Sequence, residues 1–330
     1  MFGYIVRRVV AAIAVLIVTV LATYFFFYSG PADPARVICG DRCDPQRLAS
    51  IEASLNLDEP KATQIADFFR GLIVGREIPR GSESLECSAP CLGYSFSTED
   101  EVTDMIIDSA PVTISIAIGA SLISLLVGSA IGIAASLRRG TATDKTVVGS
   151  SLLLSAIPYY IVALFTFLIF AVELEWFPRD GYKPLTEDGP LAWIGSLSLA
   201  WIALGLYGAT SYARYSRGSM LEVLNEDFMR TARAKGLPGR TVTLKHGLRA
   251  ALAPIATIYG LDLGILLAGT IFTEQIFGLQ GIGYMSLEAV GTQDLPVLVG
   301  TVLFAATAIV IMNIITDVVY SLIDPRVRLA

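Results

Sequence analysis

Long apolar runs alternate with shorter polar stretches along the whole chain. Six of these runs reach the roughly 20 mainly apolar residues that a membrane-spanning helix needs. They lie at about 9–28, 111–137, 147–171, 191–213, 250–273 and 297–321. Buried helices of a water-soluble protein are the alternative, but runs of this length and number are atypical of such proteins. The pattern therefore predicts an all-α membrane protein with six transmembrane helices.

Composition agrees with a membrane protein. The 330-residue chain is 54% hydrophobic and only 16% charged, whereas soluble domains usually carry about 25% charged residues. A cleaved signal peptide is an alternative for the first run, because Arg7 and Arg8 precede it. The run is longer than the apolar core of such a peptide, and it ends in the aromatic cluster YFFFY, which suits the membrane interface. We interpret it as a retained anchor.

The distribution of Lys and Arg predicts the orientation. Basic residues cluster at the N-terminus, after the second and fourth spans, and in the C-terminal tail. Residues 274–296 contain none, and residues 172–190 contain two against five acidic residues. Because cytoplasmic loops carry the excess of positive charge, we expect both termini in the cytoplasm.

These assignments divide the chain into three regions. Residues 1–28 form the N-terminus and the first span, 29–108 an extracytoplasmic cap, and 109–330 the membrane core with the remaining spans. The middle region is too long for a plain connector. Apolar residues at helical spacing, such as Leu48 and Ile51, predict two or three short helices in this cap.

All four cysteines fall in the cap, at Cys39, Cys43, Cys87 and Cys91. An even number confined to the outer side predicts that disulfides staple the cap. The two C-x3-C pairs are also compatible with a metal site, but no His lies nearby and an oxidising compartment disfavours free thiolates. Of the three possible pairings we favour bridges between the two pairs, because these close the longer loops.

The polar segment 214–250, between the fourth and fifth spans, contains a short helix with clear end signals. Residues 225–227 offer N-cap candidates, Gly236 suits the position after a helix, and Pro238 follows as at many helix ends. This order predicts a short, basic cytoplasmic helix that acts as a docking element. If only the charges are considered, the alternative is an ordinary cytoplasmic loop whose basic residues reflect the general excess of positive charge on that side of the membrane.

Several motifs resemble one family. The run RTARAKGL, followed by KHGLRAALAP, resembles the EAA loop in the inner-membrane subunits of binding-protein-dependent ABC importers, in particular the dipeptide/oligopeptide/nickel branch. The runs YIVRRVVAAIAVLIV, GTIFTEQIFGLQGIGYMSLEAV and VVYSLIDPRVR are similar to the same branch, in the same order. The general motif begins Glu-Ala-Ala, where this chain has Arg230, Thr231 and Ala232. The C-x3-C pairs are not part of the family pattern.

The resemblance implies the fold of a type I ABC importer permease that binds no cofactor itself. ATP and Mg would be bound by two ATPase subunits or one fused ATPase. The other implied partners are a second homologous permease, an extracytoplasmic substrate-binding protein and membrane lipid, but no nucleic acid. Peptides are the implied cargo, with nickel chelates or glutathione as the alternative. The implied ATPase-coupling residues are Asp227, Arg230, Thr231, Ala232, Arg233, Ala234, Lys235 and Gly236.

Three residues are candidates for the translocation path or its gate. Asp262 lies inside the fifth span, where an acid is costly; a pore-lining role and a buried hydrogen bond both stay open. Glu274 and Phe277 match a family motif and are predicted near the outer gate. Glycines spaced four apart in the second and fifth spans, such as Gly128 and Gly132, predict close helix packing.

Enzyme chemistry finds no support in the sequence. The chain has no G-x-x-x-x-G-K-[ST] run, so it cannot cradle ATP phosphates by itself. Its one histidine, His246, leaves no His-based metal cluster or Ser–His pair. A stand-alone secondary transporter is an alternative from another class, but we find no internal repeat of the kind such proteins often show. A receptor or scaffold with a stapled ectodomain would not need the short basic helix.

Overall fold

The computed structural model describes residues 2–28, 35, 44–54, 59–80 and 83–323. Within these ranges the fold is helical apart from an isolated bridge and one antiparallel sheet of β1 (Arg76–Arg80) and β2 (Glu83–Cys87). The helices are α1 (Phe2–Tyr28), α2 (Pro45–Ser54), α3 (Lys61–Val74), α4 (Val102–Leu137), α5 (Ala142–Ala156), α6 (Tyr159–Glu173), α7 (Gly189–Leu224), α8 (Asp227–Ala234), α9 (Gly239–Leu267), α10 (Ile271–Phe277), α11 (Ile282–Thr292) and α12 (Leu295–Ile323).

Five of the described helices are long and apolar enough to cross a membrane, namely α1, α4, α7, α9 and α12. A sixth span exists only if α5 and α6 are taken together, and these two helices meet at an angle of 92°. The all-helical, multi-span fold is therefore confirmed. The expectation of one uninterrupted helix over 147–171 is wrong.

Pro158 causes the break between α5 and α6. A proline disfavours helical backbone in the residue before it and has no N–H to donate, and Ile157 is accordingly extended, with ψ 127°. Two side chains of α7 satisfy carbonyl groups near the end of α5. The Tyr207 hydroxyl donates to the Ile157 carbonyl at 3.2 Å, and the Arg214 guanidinium donates to the Ser151 carbonyl at 3.2 Å.

The two ends of the bundle differ in character. At the basic end lie the α4–α5 corner, α8 and the start of α9, together with an ion pair of 2.9 Å between Arg8 of α1 and Asp317 of α12. At the capped end lie α2, α3, the sheet, α10 and α11. Helices α4, α7 and α9 connect the two ends.

The cap is not purely helical, since β1 and β2 pair in the register Ile78 with Leu85. It packs on the membrane helices through Phe68, which contacts Val20 of α1 and Val299 and Leu303 of α12. This packing fixes the position of α3 above α1 and α12.

The cysteine pairing differs from our expectation. Cys87 and Cys91, only four residues apart, form a disulfide with each other. A bridge from either of them to the first pair is therefore wrong, and neither is available as a metal ligand. Cys39 and Cys43 lie outside the described residues. A local turn at the end of β2 brings the second pair together, and sequence spacing alone does not reveal this turn.

Asp294 joins the cap to the membrane helices. Its carboxylate is buried (1% exposed) and accepts hydrogen bonds from the Ser95 hydroxyl at 2.6 Å and from the Ser97 hydroxyl at 3.0 Å. The same residue begins α12, because its carbonyl accepts from the Leu298 N–H at 3.0 Å. Its carboxylate also accepts from the Val297 N–H at 3.4 Å, so one side chain caps a spanning helix and holds the segment before α4 in place.

Glycines allow the spanning helices to approach closely. A Cβ added at Gly128 of α4 would lie 2.6 Å from the Ala209 carbonyl oxygen of α7, and one at Gly132 would meet the Ala213 carbonyl. Gly260 of α9 faces Thr316 of α12 in the same way. The predicted packing role of these glycines is confirmed.

The substitution Gly128→Val should destabilise the bundle. The added side chain would collide with the backbone of α7, which cannot move aside as a flexible side chain can. Overpacking costs about 1–3 kcal/mol, and we expect the upper end of that range, seen as a lower midpoint of thermal unfolding in detergent. Gly149→Val in α5 is the matched control, because no atom lies within 4 Å of a Cβ there. An equal loss in both variants would contradict the close approach.

Candidate functional site

The short basic helix α8 has well-defined ends, as its sequence predicts. Of the three N-cap candidates, Glu226 takes the position, with extended backbone (φ −66°, ψ 150°) and no side-chain cap. Asn225 instead ends α7, where its amide donates to the Leu221 carbonyl at 2.9 Å. Asp227 is the first helical residue, and its negative charge there favours the positive end of the helix dipole.

The other end of α8 closes with two hydrogen bonds around Gly236. The Gly236 N–H donates to the Arg233 carbonyl at 2.9 Å, and the Leu237 N–H donates to the Ala232 carbonyl at 3.4 Å. This pair of hydrogen bonds needs a residue with left-handed backbone conformation, which glycine adopts without strain. Gly236 has this conformation, with φ +73°. Pro238 then precedes α9 directly. The predicted stop at Gly236 and Pro238 is confirmed.

One face of α8 is buried against the bundle. Met229 and Ala232 pack on Val242 of α9, with Val223 and Leu224 of α7 beside them. Both α8 residues lie on one face because they are three positions apart. The helix is therefore held firmly at the basic end rather than suspended on a loop.

The opposite face of α8 is exposed and basic. Seven of the eight residues implied for coupling are exposed, namely Asp227, Arg230, Thr231, Arg233, Ala234, Lys235 and Gly236. Ala232 belongs to the buried face instead. The ion pair of 3.2 Å between Arg230 and Asp227 is open to solvent and contributes little to stability. Exposed Phe228 and Leu237 lie next to these charges, so the surface combines cations with apolar groups.

Asp262 lies half-buried on α9 and lines a cavity of about 170 Å³ between α4, α7 and α9. Hydroxyl groups form much of the remaining polar lining, from Ser121, Ser124, Tyr207, Ser211 and Tyr212. This cavity lies between the capped and basic ends, away from α8 and from Glu274.

Glu274 is fully buried at the capped end and joins the beginnings of two helices. Its carboxylate accepts from the Thr270 N–H at 3.2 Å, from the Thr113 hydroxyl at 2.9 Å and from the Tyr284 N–H at 2.8 Å. Thr270 caps α10 and Tyr284 lies in the first turn of α11, so the acid satisfies backbone donors at both helix ends. Gly283 permits this approach, because a Cβ there would lie 3.0 Å from the carboxylate.

Phe277 packs at the same end of the bundle. Its ring meets the Phe167 ring edge-on, with centroids 5.6 Å apart, and it contacts the cluster around Ile116 and Leu197. Glu274 and Phe277 therefore lie within α10 and its neighbours, whereas Asp262 is separate from them. The gate role of both residues stays a prediction.

Sequence reasoning missed a buried ion pair at the basic end. Asp144, in the first turn of α5, is 4% exposed; it accepts from the Gly140 N–H at 3.0 Å and pairs with Arg217 of α7 through both carboxylate oxygens. The pair fixes the α4–α5 corner against α7. The spacing of Thr141 and Asp144 is a helix-start signal that would have located the acid but not its partner.

Comparison with known proteins gives a consistent result. The protein family described as "binding-protein-dependent transport system inner membrane component" matches residues 124–329, and the family of the N-terminal part of the same membrane component matches residues 1–117. The chain belongs to this family. As a family member it is a multi-pass protein of the inner membrane, and membership implies ATPase subunits and a substrate-binding protein as partners.

Relatives of this family member extend over its whole length. A putative peptide transport system permease protein of Brucella abortus is 35% identical over 328 residues, covering 99% of each chain. The glutathione transport system permease protein GsiC of Salmonella choleraesuis is 32% identical over 330 residues, and the di/tripeptide transport system permease protein DppB of Pseudomonas aeruginosa 33% over 348, each covering 99% of both chains.

A solved structure supports the fold. The inward-facing MetNI methionine ABC transporter matches with a TM-score of 0.51 at 13% identity, over 67% of this chain and 97% of the other. At this identity the match shows the arrangement of helices alone. The predicted type I importer fold is confirmed.

Proposed function

We propose that this permease is one of two pore-forming subunits of an ATP-driven importer for short peptides. The observation that carries the proposal is α8, a helix fixed to the bundle on one face and presenting exposed cations and apolar side chains on the other. ATP and Mg are bound by the ATPase partners, and α8 docks on them. The names of the relatives, which refer to peptides, di/tripeptides and glutathione, support a peptide cargo.

In this proposal the basic end faces the cytoplasm, with both termini. Arg8, Arg138, Arg139 and the cations of α8 all lie toward that end of the helices, as expected for cytoplasmic loops. The cap then lies outside, where it meets the substrate-binding protein. The Cys87–Cys91 disulfide fits an oxidising outer compartment.

A second, distinct permease completes the translocation path in this proposal. The described spans of one chain carry few ionisable groups, and the cavity beside Asp262 is too small to hold a whole peptide. Two such chains facing each other enclose a wider path. Closure of the ATPase pair moves the two α8 helices together and changes the side to which the path opens.

Purification from native membranes in mild detergent tests this assembly. We expect the chain to be recovered with one different permease and two ATPase domains, and the complex to hydrolyse ATP faster when a liganded substrate-binding protein is added. A stable chain that transports peptide alone, without any ATPase, would refute the proposal and favour a secondary transporter.

A further inference from the structure

The cavity beside Asp262 lies deep within the membrane-spanning part of the chain. Ser121 and Ser124 are near the middle of α4, and Tyr212 lies twelve residues before the end of α7. A volume of about 170 Å³ holds a few water molecules or one small functional group, but not a whole dipeptide. The cavity is thus sized for one end of a larger molecule.

The hydroxyl groups of this cavity are arranged to accept hydrogen bonds. Ser121 donates its proton to the Ile118 carbonyl at 3.0 Å, and Ser124 donates to the Gly205 carbonyl at 2.9 Å. Tyr207 likewise donates to Ile157. Each proton can be used once, so the oxygens of these three residues retain only lone pairs for a ligand, and the Ser121 oxygen also lies 3.2 Å from the Tyr259 hydroxyl. These three oxygens suit a group that donates hydrogen bonds.

Two polar groups of the cavity, the Tyr212 hydroxyl and the Asp262 carboxylate, interact with each other. The Tyr212 side chain is 3% exposed, and its buried hydroxyl makes no hydrogen bond of normal geometry with any described residue. The contact between the hydroxyl and the carboxylate is therefore longer than a good hydrogen bond, and both groups can still bind a ligand.

No described cation neutralises Asp262. Arg214, the basic residue of α7 closest in sequence to the cavity lining, donates to the Ser151 carbonyl at 3.2 Å and the Ser155 hydroxyl at 3.3 Å of α5 and to the Ser211 hydroxyl at 3.3 Å. None of the ion pairs among the described residues includes Asp262. A carboxylate inside a membrane normally has a partner, and the partner of Asp262 among the described residues is the neutral Tyr212 hydroxyl, which leaves its charge open to a bound cation.

We propose that the Asp262 cavity is a binding site for a primary ammonium group, such as the free amino terminus of a peptide. An ammonium has three donors and no acceptor. It pairs with the Asp262 carboxylate and donates to the hydroxyl oxygens of Ser121, Ser124 or Tyr212. The rest of the molecule extends out of the cavity. The assignment of this group to a transported peptide rests on the proposed function, whereas the cation preference of the cavity does not.

The first test measures the charge preference of the cavity directly. Leu266, one turn beyond Asp262, lines the same cavity and is replaced by Cys in a chain that also carries Cys39→Ser and Cys43→Ser. The assembled complex is treated with trimethylammonioethyl or sulfonatoethyl methanethiosulfonate, and both rates are divided by those of a free thiol in buffer. We expect the cationic reagent to be favoured at least about tenfold, and Asp262→Asn to reduce this preference to near one.

An unchanged preference after the Asp262→Asn substitution would overturn the inference, because it would mean that Asp262 carries a proton and no charge. This measurement needs no transport substrate. It therefore decides the cation site even if the complex fails to import peptides.

The second test measures uptake of radiolabelled dialanine by the complex in proteoliposomes. Asp262→Asn should lower uptake at least about tenfold, since a neutral amide cannot pair with the ammonium, whereas Asp262→Glu should retain most of it. Glu288→Gln, an exposed acid on α11, is the control. Uptake by Asp262→Asn equal to wild type would overturn the inference. A wild-type complex that neither imports dialanine nor responds to a binding protein would instead refute the proposed function.

Discussion

Arg233→Glu is expected to reduce ATP hydrolysis stimulated by the binding protein at least about tenfold, because the exposed face of α8 docks by charge as well as by apolar contact. Arg233 is exposed and lies in the last turn of α8, one turn beyond the buried Met229 and at the edge of the buried face. Its reversal removes an attraction and adds a repulsion at the docking surface. The fold should survive, since the Arg233 side chain is exposed.

Arg240→Glu is the matched control for this variant. Arg240 is also exposed and basic and lies at the start of α9, just beyond α8. It should lose much less stimulation if α8 itself is the docking element. Equal losses in the two variants would indicate that the basic end acts only through its overall charge. Full stimulation in Arg233→Glu would remove the basis for the proposed coupling.

Glu274→Ala should give the largest loss of stability among the substitutions considered. The carboxylate accepts hydrogen bonds from the buried Thr270 N–H and the partly buried Tyr284 N–H, and these backbone groups cannot turn toward another acceptor. Each buried donor left without an acceptor costs about 1–3 kcal/mol, and the cavity left by the side chain adds to this. We expect a strongly lowered unfolding midpoint or loss of the protein from detergent extracts.

Glu274→Gln separates the hydrogen bonds from the space that the side chain fills. Glutamine keeps the shape and one acceptor oxygen, but its NH2 group would face a donor. Its stability should therefore fall between that of wild type and Glu274→Ala. Glu288→Gln should leave the midpoint unchanged. If Glu274→Ala unfolds at the wild-type midpoint, the carboxylate does not hold α10 and α11 together.

Local sequence signals predicted α8 well. Its start within residues 225–227, its stop at Gly236 and the following Pro238 depend on backbone chemistry within a few residues, which a sequence displays directly. The long apolar runs predicted the spanning helices because they too are local features of the sequence. The runs did not predict how far the helices extend beyond the membrane, as α7 does to Leu224, because a change to polar residues does not by itself end a helix.

The bend at Pro158 is also a local signal, but the apolar run over 147–171 hid it, since hydropathy registers the length of a run and not its direction. Features that depend on distant residues were not predictable. The sequence predicts Glu274 near the outer gate, which stays a prediction, but it does not reveal the partners of the carboxylate, Thr113 and the start of α11, which only the fold brings together. Asp294 is another residue whose distant partners the sequence does not reveal. Its cap position is visible before Leu295 and Pro296, but its bonds to Ser95 and Ser97 are not.

The path from α8 to Asp262 is a single helix. Gly236 and Pro238 form a tight corner, and α9 then runs from Gly239 to Leu267, with Pro254 inside it. Asp262 lies 23 residues beyond Gly239, which is about 35 Å along the axis at 1.5 Å per residue. A tilt of α9 about its base by about 5° would therefore carry the carboxylate sideways by about 3 Å. A small rotation of α9 at the basic end would therefore move the Asp262 carboxylate by about the length of one hydrogen bond, which is enough to make or break a contact in the cavity.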